Sequence, residues 1–201
     1  GIGTVNVAET NENELASLMV GREVVFKTEK KEAHPKQDVL KIENLVVKDS
    51  RHVNVVNNLN LNVRAGEIVG IAGVDGNGQS ELIEAITGLR KSESGSILLN
   101  DKDITKFSPR KVTESGVGHI PQDRHKHGLV LDYSMSDNIV LQTYYKQPYS
   151  KYGVLNQTEI VKKAKEIISE YDVRTPSEST LARALSGGNQ QKAIIGREID
   201  R

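Results

Sequence analysis

The stretch Gly73–Val74–Asp75–Gly76–Asn77–Gly78–Gln79–Ser80 carries the strongest fold signal in this 201-residue chain. It follows an apolar run over residues 67–72 that is typical of a buried parallel strand, and it leads into a predicted helix over residues 80–87. Its spacing matches the frame G-x-x-x-x-G-K-[ST], except that Gln79 stands where the frame has lysine. Glycines at a helix start let backbone N–H groups converge, so the stretch predicts a phosphate-binding loop.

The side chains of this loop modify the prediction. Ser80 would supply a hydroxyl to Mg²⁺, and all eight residues are candidates for binding the nucleotide: Gly73, Val74, Asp75, Gly76, Asn77, Gly78, Gln79 and Ser80. Gln79 keeps a hydrogen-bond donor but has no charge, and a hydrogen bond to a charged group contributes about 1.5–3 kcal/mol. We expect nucleotide binding to be about ten- to a hundredfold weaker than with lysine. The competing interpretation is a glycine-rich turn without a ligand.

A second glycine-rich stretch, Leu185–Ser186–Gly187–Gly188–Asn189–Gln190–Gln191–Lys192, precedes a predicted helix over residues 188–199. Ser186 is a favourable N-cap residue, and the two glycines leave backbone N–H groups accessible at the positive end of the helix dipole. An ordinary helix cap would account for Ser186 but would not require both glycines and the polar residues after them. The stretch therefore indicates a second anion-binding helix start.

These residues resemble the ATP-binding cassettes of ABC transporters. Residues 185–192 are similar to the signature motif of this family, in the form found in the second cassette of carbohydrate-uptake ATPases. Ile120–Pro121–Gln122–Asp123–Arg124 and the preceding residues 107–110 resemble the segment that leads into and forms the Q-loop, and residues 10–22 resemble the end of a preceding cassette. The phosphate loop with Gln79 is similar to that of the nucleoside-importing branch.

The resemblance implies an α/β fold, the P-loop NTPase cassette, with a mixed sheet and a helical subdomain, here incomplete. It divides the chain into the tail of a preceding cassette (1–28), a linker (29–37), a nucleotide-binding core with antiparallel strands and the phosphate loop (38–122), a helical subdomain (123–182), and the signature loop with its helix (183–201). Residues 158–171 are the clearest predicted helix of the subdomain, because their apolar side chains form one stripe. Local patterns also predict a strand end at residues 4–7, a helix that starts at Asn11 and stops at Gly21, strands at 39–47, 53–63 and 96–100, and a further strand that begins at 118–120.

The resemblance also implies roles for individual residues. The phosphate loop would hold ATP, and Gln122 would lie near Mg²⁺, act in catalysis and couple the site to a membrane subunit. Ser186, Gly187 and Gly188 would contact the γ-phosphate of a nucleotide bound to the opposite cassette, and Gln190 would belong to the same nucleotide site. The implied partners are a first cassette of the same polypeptide or a second copy, transmembrane permease subunits and, indirectly, an extracytoplasmic solute-binding protein. The implied location is the cytoplasmic face of the membrane, and the implied solute is a sugar or a nucleoside.

Three features depart from the family pattern. Gln79 replaces the lysine, as is common in second cassettes. The segment Asp49–Ser50–Arg51–His52 has no aromatic residue to stack on adenine, so either Arg51 or His52 would have to do so, or the segment is a solvated turn. The chain ends at Arg201, before the carboxylates that would bind Mg²⁺ and orient water, so we expect no ATP hydrolysis by the chain alone. His125 and His127 precede the signature and are expected to be exposed loop residues.

Composition excludes several classes. Lys+Arg and Asp+Glu are equal at 27 each, which argues against a nucleic-acid surface, and the absence of cysteine excludes disulfides and thiolate metal sites. No apolar run approaches the ~20 residues that span a bilayer, so a membrane role would require a partner. A kinase or GTPase would have lysine at position 79 and no second glycine-rich helix start. A non-transport ABC protein and a regulatory nucleotide-binding module stay open as alternatives.

Overall fold

The computed structural model describes residues 4–6, 8, 10–20, 32–74 and 76–201. Helix α1, Glu12–Val20, begins where the sequence predicts, because the Asn11 side chain accepts a hydrogen bond of 2.9 Å from the Glu14 backbone N–H. The strand end predicted at residues 4–7 is wrong for residues 4–6, which are irregular, and Val7 lies outside the described residues. The helix stop predicted at Gly21 also lies outside them, as do residues 29–31 of the predicted linker.

An antiparallel sheet forms the first layer of the chain. Strands β1 (Asp38–Lys48), β2 (Asn54–Arg64), β3 (Ser94–Leu99) and β4 (Lys102–Asp103) lie in the order β2-β1-β3-β4, and each neighbouring pair is antiparallel. Helices α2 (Gln79–Ile86) and α3 (Pro109–Glu114) pack on it. The buried side chains that join sheet and helices include Ile42, Leu45, Val47, Leu82, Ile97 and Val112. The strands predicted at 39–47, 53–63 and 96–100 are thus confirmed.

Two strands predicted from apolar composition are not formed. Residues 67–72 and 118–120 have no strand pairing, and the Ile68 side chain is 95% exposed. A buried parallel strand needs neighbours that accept its backbone hydrogen bonds and cover its faces, and the described residues supply none beside these segments. The prediction of a buried parallel strand over residues 67–72 is therefore wrong for this structure, and the sheet that forms is antiparallel throughout the described part of the chain.

A helical unit with its own core follows. It contains a π-helical turn (Arg124–Gly128), α4 (Met135–Ile139), the short hairpin β5 (Ser150–Lys151) and β6 (Val154–Leu155), α5 (Gln157–Glu170), a 3₁₀ turn (Ala182–Ala184) and α6 (Gly187–Ile199). Ile160, Ala164 and Ile167 of α5 are buried against Ala193 and Ile194 of α6, which confirms the predicted apolar stripe and the predicted last helix. Within the described ranges, no helix has both the length and the apolar content to cross a membrane.

Candidate nucleotide-binding site

The phosphate loop ends at a glycine that the fold requires. Gly78 caps α2 in the left-handed region, with φ 95°, and no side chain caps the first turn of that helix. A Cβ atom at Gly78 would lie 2.5 Å from the Val55 carbonyl oxygen, so the backbone of β2 passes directly against the loop. Only glycine satisfies both the positive φ and the close approach. No side chain occupies the N–H groups at the start of α2, which is the arrangement that a phosphate-binding helix start requires.

The Gln79 side chain folds back over the loop. Its amide Nε2 donates a hydrogen bond of 3.3 Å to the Val74 carbonyl oxygen, and it also lies where a Cβ atom of Gly73 would be. The amide thus spans the loop from the start of α2 back to the loop's first residue. Asp75 lies outside the described residues, so its predicted role stays a prediction.

Ser80 and Gln122 line one cavity of about 710 Å³. Its walls combine one side of α2 with residues 117–123 and 126–127, and its apolar lining includes Ile83, Ile86 and Ile120. The two residues predicted to hold a metal thus share one cavity although 42 positions separate them in the chain (122 − 80). None of Ser186, Gly187 and Gly188 lines this cavity.

The segment considered for stacking on adenine is a hydrogen-bonded turn between β1 and β2. The buried Asp49 carboxylate accepts hydrogen bonds from the backbone N–H groups of Arg51 (2.9 Å) and Val53 (3.0 Å), and it pairs with the Arg51 guanidinium at 2.7 Å. The Val53 hydrogen bond, followed by those from Arg51, lowers the pKa of Asp49. The Arg51 guanidinium is therefore held over the turn, while His52 lies exposed with φ 62°.

The second predicted anion site lies at the start of α6. Ser186 occupies the N-cap position, as predicted, but its hydroxyl caps no backbone N–H group; instead it accepts a hydrogen bond of 3.0 Å from the Asn189 side-chain amide. The space around Gly188 is open, because a Cβ atom there would meet no heavy atom within 4 Å. The first-turn N–H groups of α6 and the Ser186 O–H are thus available to an incoming ligand.

The Gln190 side chain is buried and hydrogen-bonded to other parts of the chain. It is 4% exposed, its Nε2 donates to the Ala182 carbonyl oxygen at 2.9 Å, and its Oε1 contacts Arg124 Nε at 3.1 Å and His125 Nε2 at 2.9 Å. Arg124 was quoted in the Q-loop segment without a role of its own. His125 was expected in an exposed loop, which is correct for its exposure but omits this contact. The glycine pair indicated this site from the sequence, but it carries no information about a contact 65 residues away.

Comparison with known proteins decides the family. The model of the ABC transporter family matches residues 56–200, which include both glycine-rich helix starts. The chain belongs to the ABC transporter family. This ABC transporter chain is 68% identical over 201 residues to the guanosine import ATP-binding protein NupO of Bacillus subtilis (strain 168), covering 100% of this chain and 39% of that protein.

Other curated relatives have related names. The nucleoside import ATP-binding protein NupA of Lactococcus lactis subsp. cremoris (strain MG1363) is 58% identical over 200 residues, covering 100% of this ABC transporter chain and 40% of NupA. The glucose import ATP-binding protein TsgD13 of Haloferax volcanii is 38% identical over 202 residues, covering 100% of the chain and 37% of that protein. The chain thus spans about two fifths of the length of these relatives.

Solved structures confirm the predicted fold class. A nucleotide-free ATP-binding cassette from an ABC transporter matches with a TM-score of 0.66 and 24% identity, covering 81% of this chain and 65% of that one. A dimeric cassette in a post-hydrolysis state, bound to ADP and Pi, matches with a TM-score of 0.64 and 23% identity, covering 80% of this chain and 68% of that one. At this identity the likeness establishes the cassette fold alone.

Proposed function

We propose that this chain is an ATP-binding cassette domain, the second of a tandem pair, in an importer that couples ATP binding and hydrolysis to the uptake of a nucleoside. The observation that carries the proposal is the presence of two glycine-rich helix starts, at residues 78–80 and 186–188, neither of which is capped by a side chain, in a chain of the ABC transporter family. The relatives at 68% and 58% identity are named for guanosine and nucleoside import. Those named for glucose or ribose import are at 38% or below, and one named for carbohydrate transport is 42% identical over 142 residues. A nucleoside is therefore favoured over a sugar.

The residues at the start of α2, together with Gln122, fit ATP with Mg²⁺. The first-turn N–H groups of α2 can receive phosphate oxygens, and the Ser80 hydroxyl and Gln122 side-chain oxygen, which share a cavity, are neutral oxygen ligands of the kind that Mg²⁺ accepts. When bound, Mg²⁺ would neutralise charge that develops on the phosphates. Gln122 in this cavity would also be placed to sense whether the nucleotide is present.

The two sites would divide the work unequally. Gln79 contributes a neutral amide where a lysine would add a charge, and in the structure this amide donates to the loop's own backbone. The start of α6 shows no such deficit, because its Ser186 O–H, its backbone N–H groups and the open space at Gly188 are all accessible. We propose that the cassette chiefly serves a nucleotide bound to its partner cassette, within a protein that contains this chain and has the length of the curated relatives (below, the longer protein).

Partners and location follow from this role. The partner cassette would be the first cassette of the same polypeptide or a second copy of this domain. Permease subunits would recruit the protein to the cytoplasmic face of the membrane, and a solute-binding protein outside would act through them. The balance of 27 basic and 27 acidic residues gives no reason to add nucleic acid as a partner.

The proposed function is tested by ranking two substitutions in the longer protein expressed with its permease subunits. We expect Ser186→Ala to reduce uptake of labelled guanosine more than Gln79→Ala does, because removing one preorganised donor to a reacting oxyanion costs about 10²–10³ in rate. Labelled ribose serves as the second substrate and should not be taken up. Ribose uptake without guanosine uptake would reject the nucleoside assignment, and the reverse ranking of the two variants would reject the division of labour.

A lysine in place of Gln79 in the phosphate loop should strengthen nucleotide binding. We expect Gln79→Lys to lower the dissociation constant for ATP about ten- to a hundredfold, since a charged donor adds about 1.5–3 kcal/mol to a phosphate contact. A fluorescent ATP analogue titrated into the chain measures this, with Gln157→Lys at the start of α5 as the control for added charge. Equal ATP affinities of the Gln79→Lys variant and the parent chain would show that this loop does not bind phosphates.

A further inference from the structure

The Gln190 side chain is a fixed connection between two parts of the helical unit. It is buried, and its Nε2 can reach the Ala182 carbonyl oxygen, at 2.9 Å, in only one orientation of the amide. That orientation turns Oε1 toward Arg124 and His125, whose Nε and Nε2 atoms lie 3.1 Å and 2.9 Å away. Oxygen Oε1 can accept both hydrogen bonds, so two side chains of the π-helical turn hold one buried atom of α6.

The turn that supplies these side chains is itself well anchored. The Asp123 carboxylate accepts hydrogen bonds from the backbone N–H groups of His125 (2.9 Å) and Lys126 (3.0 Å), and these bonds, that of Lys126 first, lower the pKa of Asp123. Asp123 directly follows Gln122, which lines the cavity with Ser80. A displacement of Gln122 would therefore be passed to Arg124 and His125 through a short, hydrogen-bonded piece of backbone.

The far end of Arg124 reaches the signature loop itself. A Cβ atom at Gly187 would lie 2.7 Å from Arg124 Nη2, so the guanidinium lies against the first residue of α6. In the part of the chain that the structure describes, Arg124 forms no ion pair with a carboxylate, and the one hydrogen bond of its guanidinium is to Gln190. Arg124 thus contacts both the first residue of the helix and the Gln190 oxygen one turn further along.

We propose that Arg124 and His125 are positioning residues. Through their hydrogen bonds to the Gln190 side-chain oxygen, they hold the signature loop in place relative to the segment that contains Gln122. This inference rests on the proposed function, because it assigns the two residues to the site at Ser186, Gly187 and Gly188. Neither residue needs to touch the nucleotide. A misplacement of about 1 Å at a reacting group can reduce turnover by about 10², so the two hydrogen bonds are sufficient to control the site.

The test uses the longer protein in its complex with the permease subunits, and it measures kcat and KM for ATP. We expect Arg124→Met to lower kcat about ten- to a hundredfold, the effect of losing a charged hydrogen bond, and to leave KM within about twofold. The exposed Lys162 of α5 provides the control, since Lys162→Met removes the same charge from the same unit. A double variant with Gln190→Met should be no worse than Gln190→Met alone, because both changes break one connection.

His125 gives a second test that does not depend on a buried group. His125 is exposed, so its replacement leaves the core intact. We expect His125→Phe, which removes the donor, to lower kcat, and His125→Gln, whose amide can donate to the same oxygen, to restore it. A purely structural role would not distinguish these two variants.

The outcomes separate this inference from the proposed function. If Arg124→Met matches Lys162→Met and His125→Phe matches His125→Gln, while Ser186→Ala still reduces turnover, the positioning role is rejected and the proposed function stands. If Ser186→Ala has no effect either, both are rejected. Additive losses in the Arg124 and Gln190 double variant would also contradict the connection through Gln190.

Discussion

Replacement of Gly188 by aspartate should stabilise the chain and abolish nucleoside uptake by the longer protein. A Cβ atom at Gly188 would meet no heavy atom within 4 Å, so there is open space where the new side chain begins. A carboxylate in the first turn of α6, which has no acidic residue there, interacts favourably with the helix dipole by about 0.3–1 kcal/mol. The same carboxylate would repel a triphosphate and block the N–H groups, so uptake should fall by about a hundredfold or more.

This opposite effect on stability and function is what distinguishes a ligand site from a structural cap. Denaturant unfolding of the chain measures its stability, and uptake of labelled guanosine by the longer protein measures its function. Gln157→Asp is the matched control, because it adds a carboxylate to the first turn of α5 without approaching the signature loop. Uptake that survives Gly188→Asp would show that no phosphate reaches the start of α6.

Removal of the Glu198 carboxylate should destabilise the chain more than any exposed substitution. Arg197 and Glu198 are both buried and pair at 3.1 Å, and Glu198 also accepts hydrogen bonds from Gln142 Nε2 at 2.7 Å and from the His119 backbone N–H at 3.3 Å. Burial lowers the pKa of the Arg197 guanidinium, and the Glu198 carboxylate opposes that shift. Glu198→Ala would leave a buried charge without its partner, which costs about 3–5 kcal/mol.

The free energy of unfolding in urea tests this, with Glu170→Ala at the exposed end of α5 as the control, expected within about 0.5 kcal/mol of the parent chain. The double variant Arg197→Met with Glu198→Leu should lose less than the sum of the two single variants, because no unpaired charge remains. A loss for Glu198→Ala no larger than that of the control would show that the pair does not join α6 to the segment of His119.

Elements whose pattern is local were predictable from the sequence. The amphipathic stripe of α5 and the glycine-rich starts of α2 and α6 depend on residues three or four positions apart, so the sequence alone indicates them. Gly78 is the clearest case, since a glycine is required there by both its positive φ and the neighbouring Val55 carbonyl oxygen, and the motif already marks the position.

Features that depend on distant partners were not predictable. Residues 67–72 have the composition of a buried strand, but strand formation requires neighbours, and Ile68 is exposed in the structure. The contact of Gln190 with Arg124 joins residues 66 positions apart, so no periodicity reveals it. The exposure of His125 was predictable, but its hydrogen bond to Gln190 was not, because that bond joins residues 65 positions apart.

In the proposed function, the start of α6 binds the terminal phosphate of a nucleotide held by a partner cassette. The most direct measurement is photolabelling of the longer protein with an ATP analogue that carries its reactive group on the γ-phosphate, followed by tryptic digestion. Cleavage after Arg183 and Lys192 isolates residues 184–192, and cleavage after Arg64 and Arg90 isolates residues 65–90. We expect label in residues 184–192 that excess ATP prevents and that is lost in Gly188→Asp. Label confined to residues 65–90, with none in 184–192, would contradict phosphate binding at the start of α6.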